Sequence, residues 1–213
     1  MNILVIAAHP DDEVIGMGGT IKKFVKKNHE IHLCVVSEGA TAQYSDKKMI
    51  QIREKACRDS GKILGISSFD FLGYPDMKLD TIPHLEINQK LEKIIKKYKP
   101  NLVFTTSDDL NRDHQLVHES TLVATRPASS SVKEVLCYEL PGIVKNPFMP
   151  TVYENIVLEL SHKIKAFKCY KSEIEKFPHS RSIESIENLA IQRGIESGLK
   201  RAEAFQLLRK INV

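Results

Sequence analysis

The stretch NILVIAAHPDDEVIGMGG, residues 2–19, starts as an aliphatic run and then changes to one histidine, one proline and three consecutive acids before it reaches glycines. The aliphatic part is nearly continuous and partly β-branched, which is typical of a strand buried on both faces of a parallel sheet. Three adjacent carboxylates repel one another unless a cation neutralises them. The stretch therefore predicts a buried strand that ends at a metal site.

Outward from this stretch, strand-like apolar runs alternate with helical patterns as far as residue 106. The further strand-like runs are EIHLCVVS (30–37), FDFLG (69–73) and NLVFTT (101–106). Helical patterns occupy residues 18–28, 46–65 and 84–98, and the second of them ends in a glycine. Beyond these, the sequence predicts two more strands, VLCYEL (135–140) and NIVLEL (155–160), separated by the proline-rich PGIVKNPFMP, and then helices from 161 to 209.

This alternation predicts an α/β fold with a Rossmann-like, open and mostly parallel sheet and helices on both faces. We expect residues 1–213 to form one domain, since single-core domains commonly reach roughly 200–250 residues. In the commonest strand order, the first and fourth strands are neighbours, and ligands bind beyond the carboxyl ends of the strands where the order reverses. The segments HPDDE and SDDLNRDHQLVH follow these two strands and should meet in one crevice.

The composition is that of an ordinary globular protein. Hydrophobic residues make up 42% of the chain and charged residues 27%, well away from disordered or fibrous sequences. The formal charge of +4 comes largely from lysines interleaved with apolar residues, as in KKFVKK and KIIKKYK. This pattern is typical of solvated helix faces and does not indicate nucleic-acid binding.

The cysteines and the apolar runs predict a reducing compartment and no membrane contact. Cys34, Cys57, Cys137 and Cys169 are far apart, without a CxxC pair, and we interpret them as reduced residues of the core. No basic-then-apolar leader precedes Ile3, and no apolar run reaches the ~18 residues of a membrane span. We therefore expect a cytoplasmic protein.

Two imidazoles and one carboxylate of these segments form a candidate metal site. His9 and Asp12 can both reach one ion from a tight turn, and His114 begins a helix after an acidic loop. Three such ligands leave a fourth tetrahedral position open to water, which is the ligand count of a catalytic zinc site. Asp11 points differently and is expected to be a free carboxylate in an accessible crevice, which indicates a general base.

Three other interpretations of these motifs are open to test. The spacing of His114 and His118 resembles the HExxH helix of metalloproteases, but Gln115 stands where the glutamate base is needed. The glycines of GMGG, with Glu38 about twenty residues later, imitate a dinucleotide-binding oxidoreductase. Three preceding acids would repel a pyrophosphate, so we interpret Gly18 and Gly19 as allowing the first helix to pack closely on the sheet. A non-catalytic protein with a static ion site would not need the spare carboxylate.

The motif AHPDDE after the first strand, together with the later DH pair, resembles the PIG-L/LmbE-like family of zinc-dependent N-deacetylases, which act on N-acetylglucosamine-type sugars. The stretches IREKACRDSGKILGI and FLGYPDMKLD and the segment from FPHSRS to residue 205 are similar to it as well. The last of these resembles the branch found among enzymes of surface-polysaccharide pathways. The resemblance implies zinc on His9, Asp12 and His114, with Asp11 as general base.

The resemblance also implies residues for substrate binding. Arg53 and Asp76 match positions that contact the sugar in relatives, although a helix-face ion pair and a turn-forming aspartate are the alternatives. The loop FPHSRS (177–182) adds Arg181 to the predicted substrate-binding group.

The second motif departs from the family pattern. Many relatives have HPDH there, whereas this chain has NRDH, residues 111–114. The amide of Asn111 can donate a hydrogen bond but cannot titrate, so His179 of the FPHSRS loop is a candidate acid. The predicted catalytic group is thus Asp11, Asn111, Asp113 and His179.

The expected reaction is hydrolysis of an N-acetyl group on an amino sugar, or on its nucleotide or conjugate form, with one Zn²⁺ or another divalent ion per chain. A sugar-linked amide of a thiol conjugate is an alternative substrate, and a nucleotide-binding oxidoreductase is the remote alternative activity. The expected partner is a small N-acetyl sugar rather than nucleic acid or a membrane. A homo-oligomer is possible if the FPHSRS loop reaches a neighbouring subunit's site.

Overall fold

The computed structural model of the chain describes residues 1–142, 145 and 147–212, and its centre is a seven-stranded sheet. The strands are β1 (Asn2–Ala7), β2 (Glu30–Ser37), β3 (Ser68–Tyr74), β4 (Leu102–Thr106), β5 (Glu134–Tyr138), β6 (Val152–Asn155) and β7 (Ala202–Lys210). Their order in the sheet is β3-β2-β1-β4-β5-β7-β6. The first five strands are parallel, and β7 runs antiparallel to both β5 and β6.

Helices cover both faces of this sheet. They are α1 (Asp12–Lys26), α2 (Lys48–Leu64), α3 (His84–Tyr98), α4 (Arg112–Ala124), α5 (Leu160–Phe167) and α6 (Ile183–Ser197), with a short 3₁₀ helix at Leu79–Thr81. Alternate residues of β1 belong to two different cores, since side chains along a strand point to opposite faces. Ile3 and Val5 pack with α1, α2, α5 and α6, whereas Leu4 and Ile6 pack with α3 and α4.

The predicted open α/β fold is therefore confirmed, and so is the adjacency of the first and fourth strands. β1 lies between β2 and β4, so the strand order reverses between β1 and β4. The segments that leave the carboxyl ends of these two strands, residues 8–11 and 107–111, lie side by side. This is the place where a doubly wound sheet binds its ligand.

The predictions for the last third of the chain are partly wrong. NIVLEL was expected to be a strand, but β6 ends at Asn155 and the chain then turns into α5, so that Leu158 is 76% exposed. The expected helix over residues 202–209 is the strand β7. Gly198 ends α6 in a left-handed conformation. The chain after it pairs with β5 on one side and β6 on the other, and this pairing overrides the helical preference of the leucines in β7. Residues 143, 144 and 146 of PGIVKNPFMP lie outside the described residues.

Helix α1 starts six residues earlier than predicted and is kinked at Met17, whose φ is −145°. The carboxylate of Glu203 on β7 accepts hydrogen bonds from the backbone N–H groups of Gly19 (2.9 Å) and Thr20 (2.6 Å) just after the kink. A Cβ on Gly19 would lie 2.8 Å from Ile156 Cγ2, so the helix is closely packed here, but against the residue that follows β6 rather than against the sheet as expected. The kinked helix places Asp12 at its first turn, directly above the end of β1.

Two further expectations from the sequence concern cysteines and membranes. All four cysteines are free, and Cys34, Cys57 and Cys137 are buried, whereas Cys169 is partly exposed. Across the part of the chain that the structure describes, no helix combines the length and the apolar character needed to cross a membrane.

Candidate metal centre

Three side-chain donor atoms converge at the carboxyl ends of β1 and β4. His9 Nδ1 lies 3.3 Å from His114 Nε2 and 3.5 Å from Asp12 Oδ2, and the third side of the triangle, from His114 Nε2 to Asp12 Oδ2, is 3.6 Å. All three residues are buried, at 5% exposure or less. The structure thus brings together the three predicted metal ligands.

The size of this triangle fits a tetrahedral ion. Nitrogen and oxygen ligands about 2.0–2.2 Å from zinc, arranged tetrahedrally, lie about 3.3–3.6 Å from one another. The donor set of two imidazoles and one carboxylate suits zinc and related divalent ions. Burial by itself lowers the pKa of His9, but its hydrogen bonds to Asp113 and Asp12 outweigh burial and raise the pKa to about 10, so the site favours positive charge.

A second layer of carboxylates orients the two histidines. Asp109 Oδ2 accepts a hydrogen bond from His114 Nδ1 at 2.7 Å. On the other ring, His9 Nε2 lies 3.2 Å from Asp113 Oδ2 and 3.3 Å from Asp76 Oδ1. Partners of this kind fix the tautomer of a ligating imidazole, so that its other nitrogen presents a lone pair to the metal.

Asp109 is the residue of this layer that the sequence interpretation missed. The acidic pair at residues 108–109, after the fourth strand, could have indicated it, but only one of these two acids contacts a metal ligand. Asp109 is 5% exposed and bonds His114, whereas Asp108 is exposed and pairs with Lys145 at 3.4 Å. Nothing in the spacing distinguishes the two acids.

The carboxylate of Asp113 is fully engaged within the protein. Its two oxygens accept hydrogen bonds from the backbone N–H groups of Met77 (2.8 Å) and Leu79 (3.1 Å), besides the contact with His9. Asp113 therefore ties the loop before the 3₁₀ helix to α4 and to one ligand ring. This geometry suits orientation of His9 better than a direct part in proton transfer.

Asp11 lies beside the metal ligands but is not one of them. Its Oδ2 pairs with Arg53 Nη2 at 3.2 Å and Arg181 Nε at 3.8 Å, while its Oδ1 has no hydrogen-bond partner among the residues that the structure describes. Burial raises the pKa of Asp11 to about 6, although the two guanidinium charges oppose this. The expectation of an accessible crevice is wrong for this group, because Asp11 is 0% exposed beneath the side chain of Arg181.

The backbone of Asp11 adopts a rare conformation. Its φ is 120° and its ψ is −25°, in a region that costs residues other than glycine about 1–3 kcal/mol. The three neighbouring acids diverge: Asp12 faces the metal site, Asp11 faces the two arginines, and Glu13 points into the protein. Glu13 is 0% exposed, and burial raises its pKa to about 8.

Asn111 caps helix α4. Its Oδ1 accepts hydrogen bonds from the backbone N–H groups of Asp113 (2.8 Å) and His114 (3.3 Å). Because the oxygen is occupied, the amide NH₂ is the group left for other contacts. Asn111 lines a small crevice beside the metal ligands together with Ile15, Leu140, Pro141, Ser180 and Arg181.

The predicted substrate-binding residues differ in their access to this crevice. Arg53 is 1% exposed and donates to the carbonyl oxygens of Pro10 (2.8 Å) and Gly39 as well as to Asp11. Asp76 is 3% exposed and faces His9. Only Arg181, with a side chain 26% exposed, borders both the crevice and Asp11.

His179 and His118 do not join the cluster. His179 is exposed, and its Nδ1 accepts a hydrogen bond from the backbone N–H of Arg181 at 3.1 Å. His118 Nδ1 bonds the carbonyl oxygen of Thr106 at 2.8 Å, as expected of a histidine on a helix face rather than of a metal ligand.

Comparisons with known proteins identify a matching family model and several related proteins. The model of the family described as "PIG-L: GlcNAc-PI de-N-acetylase" matches residues 4–125. A deacetylase of Escherichia coli (strain K12), YaiS, whose name describes it as uncharacterized, is 33% identical over 180 residues, which are 80% of this chain and 90% of YaiS. The diacetylchitobiose deacetylase of Thermococcus kodakarensis is 28% identical over 106 residues, 47% of this chain and 39% of that protein.

A solved structure has the same fold. The N,N'-diacetylchitobiose deacetylase of Pyrococcus horikoshii, solved with an inhibitor, superposes with a TM-score of 0.83 over 98% of this chain and 84% of that one. The two sequences are 23% identical, so this likeness shows the fold alone.

Proposed function

Because this chain belongs to the PIG-L family of deacetylases, we propose that it hydrolyses the acetamido group of an N-acetylated amino sugar to acetate and a free amine. The proposed reaction uses a zinc ion held by His9, Asp12 and His114. The observation that carries the proposal is the triangle of donor atoms from His9, Asp12 and His114, with the carboxylate of Asp11, which is not a ligand, beside it. An ion bound there would supply Lewis-acid activation of water and of the amide carbonyl.

Asp11 is the group positioned to take the proton of the attacking water. Arg53 and Arg181 hold its Oδ2, so Oδ1, which has no partner among the described residues, is the acceptor left for a substrate water. A carboxylate with this environment can return the proton to the departing amine in the second half of the reaction. His179 is the alternative donor, and because its side chain is exposed we favour Asp11 for both proton transfers.

Asn111 is the candidate hydrogen-bond donor to the developing oxyanion. Its cap on α4 fixes the amide plane and directs the NH₂ group away from the helix. A donor of this kind can contribute about 3 kcal/mol to the barrier where water is excluded. This assignment replaces the titratable histidine of the common family motif with a group that stabilises charge without moving a proton.

Arg181 is the substrate contact that the geometry favours, whereas Arg53 and Asp76 support the groups around the ion. The name of the Thermococcus kodakarensis relative supports an N-acetylhexosamine, free or in an oligosaccharide, as the substrate class. Nucleotide-linked sugars and sugar–thiol conjugates are the alternatives to test. A cytoplasmic location and a homo-oligomeric state stay predictions.

The test combines a substrate screen with two neighbouring variants. Acetate release should be measured for N-acetylglucosamine, its β-linked dimer, a nucleotide sugar and a thiol conjugate. In parallel, Asp12→Asn should lose the ion, whereas Asp11→Asn should keep about one equivalent and lose kcat by roughly 10²–10⁴-fold. Metal content and kcat are measured on the same samples.

Two outcomes would overturn the proposal. One is an ion-free protein with full deacetylase activity. The other is the reverse pattern, in which Asp11→Asn loses the ion and Asp12→Asn keeps it.

A further inference from the structure

The third acid of the motif, Glu13, has no part in holding the ion and none in the proton transfer described above. It is nevertheless fully buried and uses both of its carboxylate oxygens. Oε2 accepts a hydrogen bond from the backbone N–H of Asp11 at 3.1 Å, and Oε1 accepts one from the hydroxyl of Tyr170 at 2.6 Å. Glu13 thus connects the proposed base to a distant part of the chain.

The N–H that Glu13 binds belongs to the residue with the unusual backbone. At φ 120° the Asp11 N–H donates to the side chain of Glu13, two residues later in helix α1, rather than to a backbone carbonyl among the described contacts. Such a conformation persists only where surrounding contacts determine it. Beside it, the carboxylate of Asp12 faces the two histidines, whereas the carboxylate of Asp11 faces the two arginines.

Tyr170 fixes Glu13 from the other side. It follows helix α5, is 0% exposed, and packs in the same core as Phe167. Tyr170 lies beyond the segment that the family model matches, as do Glu173 and Arg181. Arg181 pairs with the carboxylate of Asp11, and Glu173 pairs with both Arg181 and Arg53. Asp11 is therefore held at its backbone through Glu13 and at its side chain through the arginines.

We propose that Glu13 is a positioning residue for the base: its carboxylate, anchored by Tyr170, holds the backbone of Asp11 and thereby keeps the carboxylate of this residue in place beside the metal ligands. This inference rests on the proposed role of Asp11. It assigns Glu13 no contact with substrate or metal, so its loss should affect the chemical step rather than metal retention or substrate affinity.

The first variants remove the hydrogen-bond acceptor of Glu13, or the hydroxyl of Tyr170 that anchors it, one at a time. Glu13→Leu keeps similar volume without an acceptor and should lower kcat by roughly 10–100-fold, since misplacing a reacting group by about 1 Å can cost that much. KM should change less than about 2-fold and the ion content should stay at one equivalent. Glu13→Gln should retain most of the activity, because its amide oxygen can accept from Asp11 and its NH₂ can donate to Tyr170. Tyr170→Phe, which removes one oxygen atom, should lie between the two.

A matched control separates positioning from general loosening of helix α1. Glu203→Gln changes another buried acid that binds backbone N–H groups of the same helix, but on residues 19 and 20 rather than on Asp11. It should lower the melting temperature without lowering kcat of the folded, metal-loaded protein. An equal loss of kcat in this control, or loss of the ion in Glu13→Leu, would overturn the inference.

A double-mutant cycle shows whether Glu13 acts through Asp11. If it does, Glu13→Leu should cost less than about 2-fold in an Asp11→Asn background, since the group it positions is already absent. The same 10–100-fold loss in that background would refute the inference while leaving the proposed function intact. Full activity of Asp11→Asn alone would refute the proposed base, and the cycle distinguishes the two failures. If Glu13→Leu does not fold, Tyr170→Phe completes the same cycle.

Discussion

Replacement of Asp109 by alanine should weaken metal binding although Asp109 touches no metal. Its carboxylate accepts the Nδ1–H of His114 at 2.7 Å, and both side chains are 6% exposed or less. Without this partner the imidazole loses its fixed tautomer and keeps a buried N–H without an acceptor. Loss of such a partner typically costs 10–100-fold in metal affinity, which corresponds to about 1.4–2.7 kcal/mol. We expect Asp109→Ala near the upper end, because Oδ1 of the same carboxylate also accepts the Asn111 N–H at 2.8 Å.

The measurement is competition for zinc between the protein and a chromophoric chelator of known affinity. Asp108→Ala is the matched control, because this acid is adjacent in sequence but exposed and paired only with Lys145 in the described contacts. It should bind the ion as wild type does. Asp109→Asn, whose amide oxygen can still accept the hydrogen bond without a charge, should lie between them. Equal affinity in wild type and Asp109→Ala, or an equal loss in Asp108→Ala, would refute the reasoning.

Three further predictions follow from the same structure. Removal of the ion by a chelator should abolish acetate release, and added Zn²⁺ should restore it; activity that survives complete removal contradicts the metal assignment. Asn111→Asp should keep the helix cap but lose the amide donor, so kcat should fall about 10²–10³-fold with little change in melting temperature; unchanged kcat would exclude Asn111 as an oxyanion donor. Lys163→Met leaves the buried carboxylate of Glu203, now 2.7 Å from Lys163 Nζ, without its cation, and should lower the free energy of unfolding by about 3–5 kcal/mol in calorimetry; a loss below 1 kcal/mol would contradict the pairing.

The parallel half of the fold and the metal ligands could be predicted because both follow from local patterns. Apolar runs bounded by helical patterns define β1 to β4, and strand order then brings residues 9 and 114 to one edge without any knowledge of side-chain geometry. The orienting role of Asp109 could not be predicted in this way. It depends on which of two adjacent acids turns inward, and this is decided by the loop backbone rather than by composition.

The last third of the chain was harder to predict because its structure depends on distant pairing. The residues of β7 include alanines and leucines, which have high helix propensity, and pairing with the flanking strands β5 and β6 makes an extended conformation favourable there. The burial of Asp11 has the same origin. The loop that carries Arg181 follows the base by 170 residues, so the sequence around HPDDE contains no sign that this carboxylate is covered.

The three consecutive acids that first indicated a metal also show why one ion does not explain all of them. A single ion would attract all three carboxylates if the backbone let them converge, and adjacent carboxylates bound to one ion would leave no base. Instead each acid meets a different partner: Asp12 the histidines, Asp11 two guanidinium groups, and Glu13 a phenol and a backbone N–H. Consecutive residues at the start of a helix point about 100° apart, which by itself separates the three side chains. The positive φ of Asp11 accompanies the hydrogen bond from its N–H to Glu13. The motif is thus better understood as one ligand, one base and one backbone anchor than as a cluster of ligands.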